Sequence, residues 1–189
     1  MKLSRGLGKR SGILLVFVAV LLVLLVTSAA WAHPHGMSFA LARIVDAEGD
    51  TVGAAALTQH EDEGVRIFVW AKDLAPGKHG IHIHSVGNCD PAGGFVAAGS
   101  HFNPEAKLHG LSNPAGPHAG DSPNLRVRPV GLGILRATNE RVSLGEGPTS
   151  LFDADGSAMV IHAGEDDQTT DPTGNSGPRI GCGVIRPSS

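Results

Sequence analysis

Beyond residue 37 the apolar and polar positions fall into short runs rather than long ones. The run at 38–45 (SFALARIV) is β-rich, and short runs at 54–59, 65–70 (VRIFVW) and 78–86 follow it, separated by Asp46-Ala47-Glu48-Gly49-Asp50, by His60-Glu61-Asp62-Glu63-Gly64 and by Pro76-Gly77. Runs of this length with turn residues between them read as antiparallel strands. The pattern returns at 125–130, 132–137, 141–144, 158–162 and 180–185. No helical period and no internal repeat interrupts it, so an all-β barrel or sandwich of about eight strands is expected. Two stretches lack any period: 87–124, made largely of Gly, Pro, Asn, Ala and His, and 163–178. Loops of that length inside a compact domain usually carry function.

The beginning of the chain follows a different pattern. Lys2, Arg5, Lys9 and Arg10 precede an unbroken apolar run over residues 13–26, and Ala30-Trp31-Ala32 offers a small-residue cleavage site. That is the layout of a secretory signal peptide over 1–32. Extended to Ala32 the run is about 20 residues, which also suits an uncleaved membrane tether over 13–32. Residues 33–189 are then one β-domain. Cleavage would expose His33-Pro34-His35, a frayed terminus with two imidazoles near a free amine, whose role stays open.

Export changes the reading of charge and cysteine. Four of the 15 Lys and Arg lie in the leader, so the remainder carries 11 against 18 Asp and Glu, a charge of −7. That balance argues against a nucleic-acid partner. Cys89 and Cys182, the two cysteines of the chain, read as one disulfide in an exported protein.

The chemistry concentrates in histidine. In Ile81-His82-Ile83-His84 the two imidazoles share one face of a strand, about 7 Å apart, and the two isoleucines share the other. Imidazole is a common ligand of copper and zinc. His162 shares a strand face with Val160, and the loop at 87–124 adds His101, His109, His118 and Asp121. His60 and His79 stand apart and read as surface or hydrogen-bonding residues.

Taken together, H-x-H (82–84), GSHFNP (99–104), HG (109–110), H-x-x-D (118–121) and GPRIGC (177–182) resemble the copper,zinc superoxide dismutases over essentially all of residues 38–185. The resemblance implies a Greek-key barrel with two long functional loops. It implies copper on His82, His84, His101 and His162, and zinc on His101, His109, His118 and Asp121, with His101 shared. It further implies that Asp166 links a copper-side to a zinc-side histidine, that Arg179 stands beside the copper, and that Cys89 and Cys182 are paired. The implied activity is conversion of superoxide to O2 and hydrogen peroxide outside the cytoplasm, with Arg179 holding the anion and His101 relaying a proton.

The residues themselves agree with that chemistry. Imidazoles suit a copper that changes oxidation state, while three histidines and one aspartate form a closed, structural zinc set. A closed zinc leaves no open position for a hydrolase. A non-catalytic copper-binding or copper-delivery module on the same fold is the alternative, and a homodimer is left open. One departure stands out: the loop at 163–178 has no lysine but contains Glu165, Asp166, Asp167 and Asp171, so weak long-range attraction of an anionic substrate is expected.

Overall fold

The computed structural model describes residues 36–188 apart from residue 62. The leader, His33 and His35 lie outside the described residues. Among the described residues there are nine strands: β1 (Met37–Val45), β2 (Thr51–His60), β3 (Val65–Ala71), β4 (Gly77–His79), β5 (Ile81–His84), β6 (Leu125–Val127), β7 (Gly133–Asn139), β8 (Ser157–His162) and β9 (Arg179–Pro187). They form one sheet in the order β4-β6-β7-β3-β2-β1-β9-β8-β5, and every pairing is antiparallel. Neighbours distant in sequence, β7 beside β3, β9 beside β1 and β8 beside β5, make this a Greek-key arrangement rather than a meander.

The two ends of the sheet are β4 and β5, and a single residue, Gly80, joins them. The barrel therefore closes through one bend in the chain. The strand expected over 78–86 is divided there because its edge changes partner: β4 pairs with β6, and β5 with β8. A side chain at Gly80 would place its Cβ 2.7 Å from Ser176 Cβ and 3.3 Å from Asp166 Cβ, so glycine lets the second long loop pack against the bend.

Strict alternation explains how the wall is built. In β3, Val65, Ile67, Val69 and Ala71 are buried while Arg66, Phe68 and Trp70 face outward. Those inward positions join Ile44, Leu57, Ile81, Ile83, Leu125, Leu151, Met159 and Ile161 in one core. Burial of these side chains contributes roughly 1.5–3 kcal/mol apiece for the larger ones. The run at 141–144 is not a strand, contrary to expectation. Its backbone donors are taken by irregular partners: Arg141 N–H by Asn139 Oδ1 (2.9 Å), Ser143 N–H by Thr149 O (2.8 Å) and Leu144 N–H by the side chain of Gln59 on β2, at Oε1 (2.7 Å). Val142 and Leu144 still bury against the core.

The stretches 87–124 and 163–178 are irregular, apart from one 3₁₀ turn at Val96–Ala98. The first is stitched to the barrel by a disulfide between Cys89 and Cys182 of β9, with Cα atoms 5.5 Å apart.

Candidate metal centre

Strand β5 has β8 on one side, and residues 101–102 and 120 of the long loop attach to its other edge. Ile83 N–H donates to Gly120 O (2.9 Å), Phe102 N–H to Ile83 O (2.9 Å) and Gly120 N–H to Phe102 O (2.8 Å). This lays His101 directly against His84. Ile81 and Ile83 enter the core, while His82 and His84 are sealed on the opposite face by the loop, so all four residues are buried. His162 ends β8 at an irregularity in its pairing with β9, and its N–H donates to Gly80 O (2.8 Å).

One potential ligand atom from each of His82, His84, His101 and His162 lies within 4.8 Å of the others. The far nitrogens are satisfied: His82 Nε2 meets Asp166 Oδ2 (2.8 Å), His84 Nδ1 meets Gly99 O (3.0 Å) and His162 Nδ1 meets Gly177 O (2.9 Å). Since carbonyl and carboxylate oxygens only accept, those nitrogens carry the protons, and lone pairs are left at His82 Nδ1, His84 Nε2 and His162 Nε2. These three atoms and His101 Nε2 are buried without a hydrogen-bond partner. Burial also opposes protonation, holding His82 at about 3, His162 at about 4 and His84 well below the usual imidazole range. Lone pairs crowded into a dry space repel one another and are stabilised by a shared cation.

A second cluster adjoins the first. Asp121 Oδ1 lies 2.9 Å from His101 Nδ1, 3.0 Å from His109 Nδ1 and 3.5 Å from His118 Nδ1, and the His101 and His118 nitrogens are 3.3 Å apart. Ligands about 2.0–2.1 Å from a tetrahedral zinc would stand about 3.3–3.4 Å from each other, and the four atoms here bracket that edge. His82 also falls within 4.8 Å of His101, His109 and Asp121. Its Nε2, however, is already bonded to Asp166, so His118 is the better fourth member. Asp121 Oδ2 accepts N–H bonds from Gly110 (2.8 Å) and His118 (2.9 Å). Burial disfavours its charge, but the bonds from His101, His109 and Gly110 outweigh that and keep it ionised.

Asp166 connects the clusters, with Oδ2 on His82 Nε2 and Oδ1 on His109 Nε2 (3.0 Å). Burial again opposes its charge, and the bonds to His109 and His82 prevail. Its neighbours do different work: Glu165 pairs with Lys78, and Asp167 binds Thr169, Thr170 and Asn175 of its own loop. Arg179 opens β9, where Nη1 donates to Phe95 O and Nη2 to Gly99 O, both at 2.6 Å. It lies near enough to oppose positive charge on His84 and His162, and it lines a depression with Ser100, His101, His118 and Thr173.

The histidines and the aspartate expected as metal ligands thus lie together, with Asp166 between the two clusters and Arg179 beside them, while Cys89 and Cys182 form their disulfide elsewhere. His60 stands outside the site, and His79 is spent on two carbonyls, His162 O and Ala75 O, each at 2.8 Å. Sequence reasoning missed Asn124, which exchanges two bonds with the backbone of Asp166 (2.8 and 2.9 Å), and Gly174, where a Cβ would sit 1.7 Å from Asp166 Oδ1. Neither carried a signal: Asn124 acts on a residue 42 positions away, and Gly174 acts only through the space it leaves open for Asp166. Asp171 was noted only as a loop acid, yet it accepts the His109 N–H at 2.7 Å.

Residues 51–185 match the family model described as copper/zinc superoxide dismutase. The chain is 46% identical over 147 residues to "Superoxide dismutase [Cu-Zn] 1" of Aquifex aeolicus, spanning 77% of this chain and 86% of that protein. It is 42% identical over 145 residues to "Superoxide dismutase-like protein YojM" of Bacillus subtilis, spanning 76% of this chain and 74% of that one. A crystal structure of a SOD-like protein from Bacillus subtilis superposes with a TM-score of 0.72 at 40% identity, covering 81% of this chain and 99% of that one. On the extent of these matches, the chain belongs to the copper/zinc superoxide dismutase family.

Proposed function

We propose that this chain disproportionates superoxide to O2 and hydrogen peroxide, with copper held by His82 Nδ1, His84 Nε2, His101 Nε2 and His162 Nε2. Zinc would be held by Nδ1 of His101, His109 and His118 and by Asp121 Oδ1. The observation that carries this reading is the set of four buried, partnerless imidazole nitrogens converging beside a tetrahedral nitrogen and oxygen cluster, with one ring contributing to both.

Bound copper supplies one-electron exchange with the substrate, and bound zinc supplies a fixed positive charge on the far side of His101. The chain does the rest. Asp166, Gly99 O and Gly177 O hold the far nitrogens of His82, His84 and His162 protonated, which keeps their lone pairs turned inward. Arg179, fixed by two carbonyls, presents a permanent charge at the mouth of the depression and draws an anion alongside His101. His101 Nε2, the one nitrogen of that ring free of Asp121, would take up a proton from solvent only when its lone pair is not engaged by copper, and could then give that proton to the reduced oxygen species.

The protein works outside the cytoplasm, in the periplasm, cell envelope or extracellular space. The Cys89–Cys182 disulfide and the leader pattern support this. Residues 13–32 suit either a cleaved leader or a retained tether. The outward Leu41, Phe68, Trp70 and Ile134 provide apolar surface on which a homodimer could form. A non-catalytic copper carrier would have no use for an arginine buttressed beside the cluster, so catalysis is the stronger reading.

The test is metal analysis of the purified chain with a superoxide-decay assay, repeated on His101→Ala. One copper and one zinc per chain, with decay abolished in the variant, is expected. Full activity in His101→Ala would refute the assignment.

A further inference from the structure

Metal-bound histidines are usually oriented by a partner on their other ring nitrogen. On the zinc side, the far nitrogen of His101 faces the copper cluster and that of His109 meets Asp166 Oδ1. His118 Nε2 faces Asp171 Oδ1, at an ion-pair distance of 3.6 Å. The same oxygen accepts the His109 backbone N–H at 2.7 Å. One carboxylate from the loop at 163–178 thereby reaches both ends of the segment that spans His109 to His118. Nothing comparable ties Asp171 to His82, His84 or His162, whose far nitrogens are held by Asp166, Gly99 and Gly177.

We infer that Asp171 is a positioning residue for the zinc-side histidines alone, setting the ring of His118 and the backbone of His109, whereas Asp166 serves both metals. The inference rests on the zinc assignment above. Its chemistry is local. At 3.6 Å the contact is electrostatic rather than a hydrogen bond: the aspartate's negative charge favours the tautomer with the proton on Nε2, which leaves the lone pair at Nδ1, on the side of Asp121. Asp171 also fixes the backbone from which His109 projects. Asp171 side-chain exposure is 43%, against 0% for Asp166, so the zinc side has a solvent-reachable brace that the copper side lacks. Loss of this brace should loosen zinc first.

The experiment measures zinc affinity of the full chain by competition with a chromogenic chelator in Asp171→Ala and Asp171→Asn, with copper retention followed in the same samples. The visible spectrum of cobalt(II) bound in place of zinc provides a second readout. Asp171→Ala is expected to weaken zinc binding by about tenfold and to perturb the cobalt spectrum, while copper retention stays within about twofold. Asp171→Asn keeps an acceptor for the His109 N–H and should recover part of the loss. His118→Ala separates the two levels of the claim. Zinc affinity lost in His118→Ala but unchanged in Asp171→Ala would overturn the inference alone, as would equal loss of copper and zinc in Asp171→Ala. Zinc affinity unchanged in His118→Ala would overturn the zinc assignment and this inference with it.

Discussion

Replacing Asp166 by Asn should remove copper rather than zinc, and the reason lies in which carboxylate oxygen is pinned. Oδ1 accepts the Gln168 N–H (2.7 Å) as well as meeting His109 Nε2 (3.0 Å), so the amide oxygen of Asn will occupy that position. The amide NH2 then replaces Oδ2 and faces His82 Nε2 at 2.8 Å, donor to donor. His82 escapes by moving its proton to Nδ1, the nitrogen assigned to copper, or leaves a buried donor unpaired at about 1–3 kcal/mol. Since 1.4 kcal/mol is tenfold, copper affinity should fall by about 10- to 100-fold, in line with losses at other supporting partners of metal ligands. Zinc should be retained within a few-fold, because His109 keeps its acceptor. Copper and zinc released by a graded chelator series and counted by plasma mass spectrometry give the answer. Preferential loss of zinc, or retention of both metals, would refute the tautomer argument.

The metal-free protein should be most stable near pH 6.5, as read from denaturant midpoints across a pH series. His82 and His162 have folded values depressed to about 3 and about 4, so their stability is full above the unfolded value and is lost as pH falls through it; His109, raised to about 9 because Asp121 and Asp166 outweigh its burial, contributes below the unfolded value and loses that as pH rises. A plateau from pH 4 to 9 would contradict this. Replacing Cys89 and Cys182 together by Ala opens a link across 93 positions and should cost about 4–5 kcal/mol, seen as a melting point lower by roughly 10 °C or more; a change under about 1 kcal/mol would show the bridge to be thermodynamically idle. Superoxide decay should vary little between low and physiological salt, since the loop beside the site carries acids where cations would steer an anion, and a steep fall would contradict that view.

Some of the molecule was legible from residue order and some was not. The alternation in β3 translates directly into buried and exposed side chains, because each strand residue reports its own face. The run at 141–144 misled, since its apolar content is real but its N–H groups are claimed by Gln59, Asn139 and Thr149. His82 and His84 could be placed on one face from local periodicity alone. Joining them to His101, His109, His118 and His162 required the family resemblance, because loops carry no period from which to compute where a side chain ends up. Asp166 illustrates the limit. Between Glu165 and Asp167 it looks like one of three equivalent acids, and only the tertiary structure buries it while leaving Glu165 to Lys78 and Asp167 to its own turn.

The claim on which the rest turns is that one imidazole, His101, serves two metals. A crystal structure of the copper- and zinc-loaded protein, with anomalous data collected at both metal edges, tests it directly. The expected result is a copper peak about 2 Å from His101 Nε2 and a zinc peak about 2 Å from His101 Nδ1. A single peak, or two peaks of which neither touches His101, would contradict it.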